Sequence, residues 1–334
     1  MSLPVAPHIV IAGAGSVGCY VGACLALDGR KVTFLLRPVM AAQLQAYGLR
    51  VTDYQGRSRQ LAAAALKLSS DPGVLAEADI VLVTVKSAAS PTIAAEIARH
   101  ARPGAVVVSL QNGVGNAELL AQALPDQQVL AGMVPFNVLQ QGEGRFHRGS
   151  EGELAIAAAL PGLAELLACE GLACRAHADM AAVQWGKLLL NLNNALNALA
   201  GVPLREQLQE HAWRRLLAGM MDEALHAMKR AGIRPAKVSR VPSWLIPHLL
   251  RLPTPLFRRV AASMLTIDPL ARSSMWEDLQ QRRITEVAYL QGAVVALATS
   301  QGIRAPWCER VMAAIHAAEQ AGEGSPRLSP RALA

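Results

Sequence analysis

The stretch Trp185-Gly-Lys187-Leu-Leu-Leu-Asn191-Leu-Asn-Asn194 sets one lysine and several asparagines into a run of leucines. Lys187 and Asn191 are four residues apart and Asn194 lies seven after the lysine, so on a helix all three share one face. Leu188, Leu189, Leu190, Leu192, Ala195 and Leu196 leave little solvated surface for a merely polar stripe. Carbonyl chemistry gives such residues work. A keto group reduced by hydride needs a proton donor for the new alkoxide and hydrogen bonds that hold the substrate in place.

A source of hydride is suggested near the start of the chain. Gly13-Ala14-Gly15-Ser16-Val17-Gly18 stands between a β-branched run and a helical pattern. In that context Gly13 permits the tight turn, Gly15 lets a pyrophosphate approach the backbone, and Gly18 lets helix and strand pack closely. The phosphates then meet the free N–H groups at the positive end of the helix. The next strand ends Leu35-Leu36-Arg37, with no acid for the ribose hydroxyls that NAD enzymes bind. Arg37 suits a 2′-phosphate, which favours NADPH/NADP+; the alternative is a solvated loop arginine. Lys86 follows the run Val81–Val85 and is either a cofactor contact or an exposed loop lysine. Asn112, in Gln111-Asn112-Gly113, either presents its amide to nicotinamide or substrate or forms an Asn-Gly turn.

Later come Ser273-Ser274-Met275-Trp276-Glu277-Asp278 and Arg283-Ile284-Thr285-Glu286. Ser274 fits a helix cap with Glu277 in the reciprocal position, and this is compatible with substrate binding. Glu286 reads as lying about three turns into a helix Trp276–Gln301, where its carboxylate needs a cation or a donor. Lys187 is the natural partner.

The elements that must carry these residues divide the chain in two. Strands are expected at His8–Ala12, Lys31–Leu36, Asp79–Val85, Ala105–Leu110 and Gln128–Met133, alternating with helices at Ser16–Asp28, Pro38–Tyr47, Ala88–Ala101 and Asn116–Leu124. That alternation predicts a parallel sheet covered on both faces. Leu49–Leu68 suggests a short antiparallel piece, and Gly144–Gly149 and Glu153–Ala157 are expected to close the sheet. Beyond about Met180 the apolar spacing becomes helical, with helices expected at Met180–Ala200, Leu204–Arg230, Pro242–Leu250, Pro255–Met264 and Trp276–Gln301. The domains are therefore 1–180 and 181–321, followed by a tail, 322–334, that lacks a periodic apolar face and is expected to be mobile.

Composition narrows the class. The 334 residues are 52% hydrophobic with a net charge of +7, enough for two folded domains. The basic residues are scattered apart from Lys229–Arg259, which has few interleaved aromatics, so nucleic acid is not an expected partner. Five cysteines without a CxxC pair fit a reducing cytoplasm and argue against a disulfide framework or metal site. His8–Leu27 carries no charge over twenty residues, long enough to span a bilayer, but its clustered glycines break it into strand, turn and helix. No membrane association is expected.

Together these segments resemble the ketopantoate reductases (2-dehydropantoate 2-reductases) over nearly the whole chain. The resemblance rests on the glycine loop, the Leu-Leu-Arg37 ending, Thr84-Val-Lys86 and Leu110-Gln-Asn112-Gly. It continues through Trp185-Gly-Lys187, Asn191, Ser273-Ser-Met-x-x-Asp278 and Arg283-x-Thr-Glu286. It implies a Rossmann-type α/β domain followed by an all-α domain with the architecture of the 6-phosphogluconate dehydrogenase C-terminal half. It also implies NADPH-dependent reduction of ketopantoate to (R)-pantoate, on the route to pantothenate and coenzyme A, by a monomer or homodimer. By motif match, Lys187 would be the proton donor, Asn191 and Ser274 would hold the substrate, and Glu286 would contact substrate or cofactor and orient the lysine. Asn112 would lie at the nicotinamide, with Arg37 and Lys86 on the adenosine side. Two departures stand out. The family's second asparagine falls eight residues after the lysine, where this chain has Ala195, with Asn194 next to it. Gly132–Asn137 replaces a small, Thr-rich run near the cofactor, so Asn137 becomes a contact there. Reduction of another 2-keto acid, or NADPH binding without turnover, are the alternatives that the same residues leave open.

Overall fold

The β-branched run His8–Ala12 forms strand β1, and the helix formers after the glycine turn form α1 (Ser16–Leu27). In this computed structural model the described residues are 4–237, 241–260 and 271–333. The chain divides into two compact units, Met1–Met180 and Ala181–Ala334. The first continues with β2 (Lys31–Leu35), α2 (Pro38–Tyr47), β3 (Leu49–Asp53), β4 (Ser58–Leu61), β5 (Leu68–Ser69) and β6 (Ile80–Val83). Then follow α3 (Ser90–His100), β7 (Val106–Ser109), α4 (Asn116–Ala123), β8 (Gln128–Met133), β9 (Val138–Gln140) and β10 (Arg145–Arg148). The unit ends with β11 (Leu154–Ala157), α5 (Leu163–Leu167) and β12 (Cys174–His177).

The main sheet runs β12-β11-β8-β7-β6-β1-β2-β5. Its six strands from β5 to β8 are mutually parallel, and the chain turns from one side of β1 to the other between β5 and β6. This is the doubly wound arrangement in which ligands bind beyond the strands' carboxyl ends at the reversal. Alternate side chains fill two cores. Ile9, Ile11 and Phe34 join the α1 face, while Val10, Ala12, Val81 and Val107 meet Ile93, Ile97 and Leu120 of α3 and α4. Burial on both faces explains why these strands read as unbroken apolar runs.

Not every strand joins that sheet. Gly144–Gly149, expected to close it, supplies β10 to a separate four-stranded sheet of order β4-β3-β10-β9. Arg145 there pairs in register with Arg50, parallel to β3. The alternation is the reason: Phe146 and Arg148 are buried and their neighbours are not, a one-sided pattern unlike β6 or β7. The antiparallel β3–β4 pair accounts for the piece expected after Leu49. Strand β11 does extend the main sheet, antiparallel to β8, and β12 adds an edge that no strand was expected to fill.

The helical unit comprises α6 (Met180–Asn191), α7 (Asn193–Ala200), α8 (Leu204–Gln209), α9 (His211–Arg230), α10 (Ile246–Leu250), α11 (Thr254–Val260), α12 (Ser274–Gln280), α13 (Val287–Ser300) and α14 (Pro306–Ala321). Three expected long helices are each broken. Leu192 separates α6 from α7, and extended Glu210 separates α8 from α9. Arg282, left-handed at φ 54°, turns the chain between α12 and α13. Of the helix expected at Pro255–Met264, residues 261–264 lie outside the described residues, as does Arg240 of the basic run. Buried Arg214 on α9 ties the neighbouring turns together by donating to the carbonyls of Leu208, Gln209, Leu250 and Leu252. Helix α14 was not expected. It begins with Pro306, and Glu223 of α9 accepts the N–H groups of Trp307 and Cys308 at 2.7 and 3.0 Å.

The tail also departs from expectation. Ser325 Oγ donates to Ala198 O, Leu328 N donates to Leu199 O at 2.8 Å, and Leu333 is buried. Backbone partners on α7, rather than an apolar stripe of its own, order residues 325–333.

Within the α/β unit the glycine loop shows what each glycine excludes. Gly13 has φ +86° and a Cβ there would strike Val85. At Gly18 a Cβ would meet Thr84 and Ile11, whereas at Gly15 the nearest atom is Gly13 O at 3.9 Å. Gly13→Ala and Gly18→Ala should each lower unfolding free energy by about 1–3 kcal/mol. Gly15→Ala should cost at most about 1 kcal/mol. Thermal unfolding of the three variants checks the ranking.

Candidate active site

The glycine loop is held from both sides. Gly13 N and Ala14 N donate to Leu35 O at 3.0 and 3.1 Å, and the Thr84 hydroxyl donates to Gly13 O at 2.9 Å. These bonds join the loop to the ends of β2 and β6. Helix α1 starts at Gly15 with no side-chain cap and no acid in its first turn. Its free N–H groups and positive dipole therefore suit an anion. With open space over exposed Gly15, this cradle fits a dinucleotide pyrophosphate.

Arg37 is exposed at the end of β2, as the N-cap of α2, and makes no ion pair among the described residues. Lys86 is exposed just beyond β6. Asn112, beyond β7, is partly exposed, and its carbonyl accepts from Ser87 Oγ at 3.1 Å and Asn116 Nδ2 at 2.8 Å. Beneath it runs a buried chain of hydrogen bonds. Ser109 donates to Gln111, Gln111 to Ser90, Ser90 to Asn116, and Asn116 to Ser87. None of these supports was singled out from sequence, although each sits within a few residues of an expected strand end. Since β1, β2, β6 and β7 are parallel, the loop, Arg37, Lys86 and Asn112 all lie along one sheet edge. Asn137 is four residues past β8 and exposed, its backbone bound to Ser150 and Gly149 at the start of the second sheet.

In the helical unit, Lys187 is only partly exposed in the third turn of α6, beside buried Leu188 and Leu189. Burial pulls its pKa down to about 8, opposed by the Glu286 carboxylate. Such an ammonium can hold and deliver a proton near neutral pH. Asn191 and Asn194 are likewise partly exposed, whereas Asn193 and Asn197 turn inward and are buried. Gln207 donates to Asn193 at 2.9 Å, and Asn197 donates to Gln207 and to Val202 O. The partly exposed asparagines are thus separate from those whose side chains brace the fold.

Two sequence readings need correction. Ser273, not Ser274, caps α12: its hydroxyl accepts Trp276 N–H at 3.1 Å and donates to Asn194 O at 2.9 Å, while its N–H donates to Asn197 Oδ1 at 2.8 Å. Ser274 is therefore exposed as the first helical residue, beside a turn anchored to α7. Glu286 does not lie three turns into a helix. It is the N-cap of α13, after the break at Arg282, and its side chain does not cap that helix. A helix start places the carboxylate on a short turn, from which it acts on Lys187.

No helix among the described residues is long and apolar enough to cross a membrane. Residues 9–160 match the family described as ketopantoate reductase PanE/ApbA, and residues 179–319 match its C-terminal counterpart. The chain is 32% identical over 309 residues to the 2-dehydropantoate 2-reductase of Archaeoglobus fulgidus, covering 89% of this chain and 92% of that one. It is 29% identical over 310 residues to the enzyme of that name from Halobacterium salinarum, covering 90% and 94%. A crystal structure of a PanE/ApbA family ketopantoate reductase from Ralstonia eutropha JMP134 superposes with a TM-score of 0.81 at 28% identity, over 95% of this chain and 99% of that one. Matched along both halves, and carrying the lysine and glycine-loop motifs in order, the chain belongs to the ketopantoate reductase family.

Proposed function

We propose that this protein reduces ketopantoate to (R)-pantoate with NADPH, in the cytoplasm and as a monomer or homodimer, feeding pantothenate and coenzyme A synthesis. One observation carries the reading: a partly exposed lysine on an apolar helix, its pKa lowered by burial and raised again by the Glu286 charge, with partly exposed Asn191 one turn on and Asn194 just past the break at Leu192. When bound, NADPH would supply the hydride for the keto carbon. Gly13–Gly18 would hold its pyrophosphate, Arg37 and Lys86 its adenosine side, and Asn112 and Asn137 its nicotinamide side. Lys187 donates the proton from Nζ to the keto oxygen as negative charge builds there. Glu286 keeps the ammonium charged and oriented, and also contacts cofactor or substrate. Asn191, Asn194 and Ser274 bind the substrate's hydroxyl and carboxylate ends.

The test is loss of NADPH absorbance on mixing with ketopantoate, with NADH and other 2-keto acids in parallel. NADPH-selective turnover of ketopantoate is expected; turnover of a different acid with ketopantoate inert would reassign the substrate. Lys187→Ala should lower kcat by about 10²–10⁴-fold. The donor must be protonated, so kcat for reduction should be level below pH 8 and fall about tenfold per pH unit above it. The residual rate of the alanine variant should lack this limb. Arg37→Ala should raise KM for NADPH far more than KM for NADH, and equal changes would refute the phosphate contact.

A further inference from the structure

The start of α13 has an unusual division of labour. Glu286 is its N-cap by backbone conformation, yet its carboxylate does not serve the helix. Other groups meet the amides at this start and in the turn before it. Thr285 Oγ1 accepts Val287 N–H at 3.2 Å, and Glu319 of α14 accepts Thr285 N–H at 2.7 Å. The second oxygen of Glu319 meets His316 Nδ1 at 2.9 Å. Glu319 is nearly sealed from solvent, its side chain 8% exposed, and Arg282 and Arg283 line the same small cavity. Burial alone would raise its pKa, but the hydrogen bonds from His316 and Thr285 more than offset this and keep it an anion.

A carboxylate so held has a consequence for the residue next to Thr285. Arg282 is left-handed at φ 54°, a conformation that a non-glycine residue keeps only when its surroundings enforce it. The turn from Arg282 to Glu286 therefore depends on its anchors. Farther along α13, Gln291 Nε2 donates to Leu192 O at 2.9 Å, at the break after the lysine helix. We infer that Glu319 is a positioning residue for the reduction: by gripping Thr285 N–H it sets the turn that holds Glu286 toward Lys187. This rests on the assignment of Lys187 and Glu286 proposed above. Glu319 touches neither substrate nor reacting atoms. It acts through the turn, and His316 fixes its second oxygen.

The ε-¹³C signal of Lys187, one of six lysines, reports the arrangement without cofactor or substrate. Protein labelled at lysine is titrated by NMR, and the signal is assigned by its loss in Lys187→Arg. Glu286→Gln should lower the lysine's pKa below about 8, because the carboxylate raises it. Glu319→Ala should lower it in the same direction and reduce kcat by about 10–100-fold, the scale of a misplaced catalytic group. Glu319→Gln keeps an acceptor for Thr285 N–H and should recover most of both. His316→Ala, at a half-exposed ring, should give a smaller shift of the same sign and provides the test if Glu319→Ala does not fold. A shift in Glu286→Gln without any in Glu319→Ala or His316→Ala would overturn the inference, even if thermal stability fell. No shift in Glu286→Gln would refute the lysine–glutamate assignment, and the inference with it.

Discussion

An ammonium set among leucines gives up its proton more readily than one in water, and a carboxylate charge acting on it opposes that loss. Burial lowers the pKa of Lys187, and the Glu286 charge limits how far it falls. The carboxylate must come from a backbone that does not drift. The left-handed turn at Arg282, the Thr285 cap and the Glu319 anchor fix one end of α13, while Gln291 ties the helix to Leu192. Across α7, α8 and the start of α12, Asn193, Gln207, Asn197 and Ser273 form a second set of bonds, while Asn191 and Asn194 stay partly exposed. Polar side chains inside this apolar unit fall into buried bracing and partly exposed sets, and helix register decides which is which.

The α/β unit meets a comparable need with backbone. An anion at the start of α1 would be served by N–H groups whose positions are set by the glycine turn, so the support lies in what grips the loop: Leu35 O and the Thr84 hydroxyl. Beyond β7 the support is a buried hydrogen-bonded chain ending on the Asn112 carbonyl. Such a chain is costly unless every member is paired, and once paired it rigidifies the loop above it.

How much of this could be read in the residues follows from the range of the interactions. The glycine loop and the parallel strands were legible because their signals are local: β-branched runs, a fixed glycine spacing, and helix formers directly after. The helix carrying Lys187 and Asn191 was legible from a period of 3.6 residues, whereas the break at Leu192 that puts Asn194 on the next helix was not. The misreadings arose where a distant partner decides. β10 pairs with β3 about a hundred residues away, and only its alternating burial hinted that it would leave the main sheet. Glu286 read as mid-helix because nothing nearby announces a left-handed arginine; Glu319, the anchor of that turn, follows more than thirty residues later. Ser273 and Ser274 are adjacent and chemically alike, and only contacts with Asn194 and Asn197 decide which one caps. Helix α14 is a different case. Pro306, the spaced Cys308, Val311 and Ile315, and left-handed Gly322 were all present as start, stripe and stop.

The seam between residues 325–333 and α7 has a bearing on how the molecule is made. Ser325 reaches Ala198 across 127 residues of chain, and the Leu333 carbonyl takes a hydrogen bond from Arg310. During synthesis from the amino end, the sheet-based unit has all its strands once Cys174–His177 has emerged. The end of α7 is covered only once residues 325–333 have been made. Until then the carbonyls of Ala198 and Leu199 stay open to other partners, so a chain stalled before Ser325 would hold a sheet-based unit with all its strands joined to a helical unit with an unsealed flank.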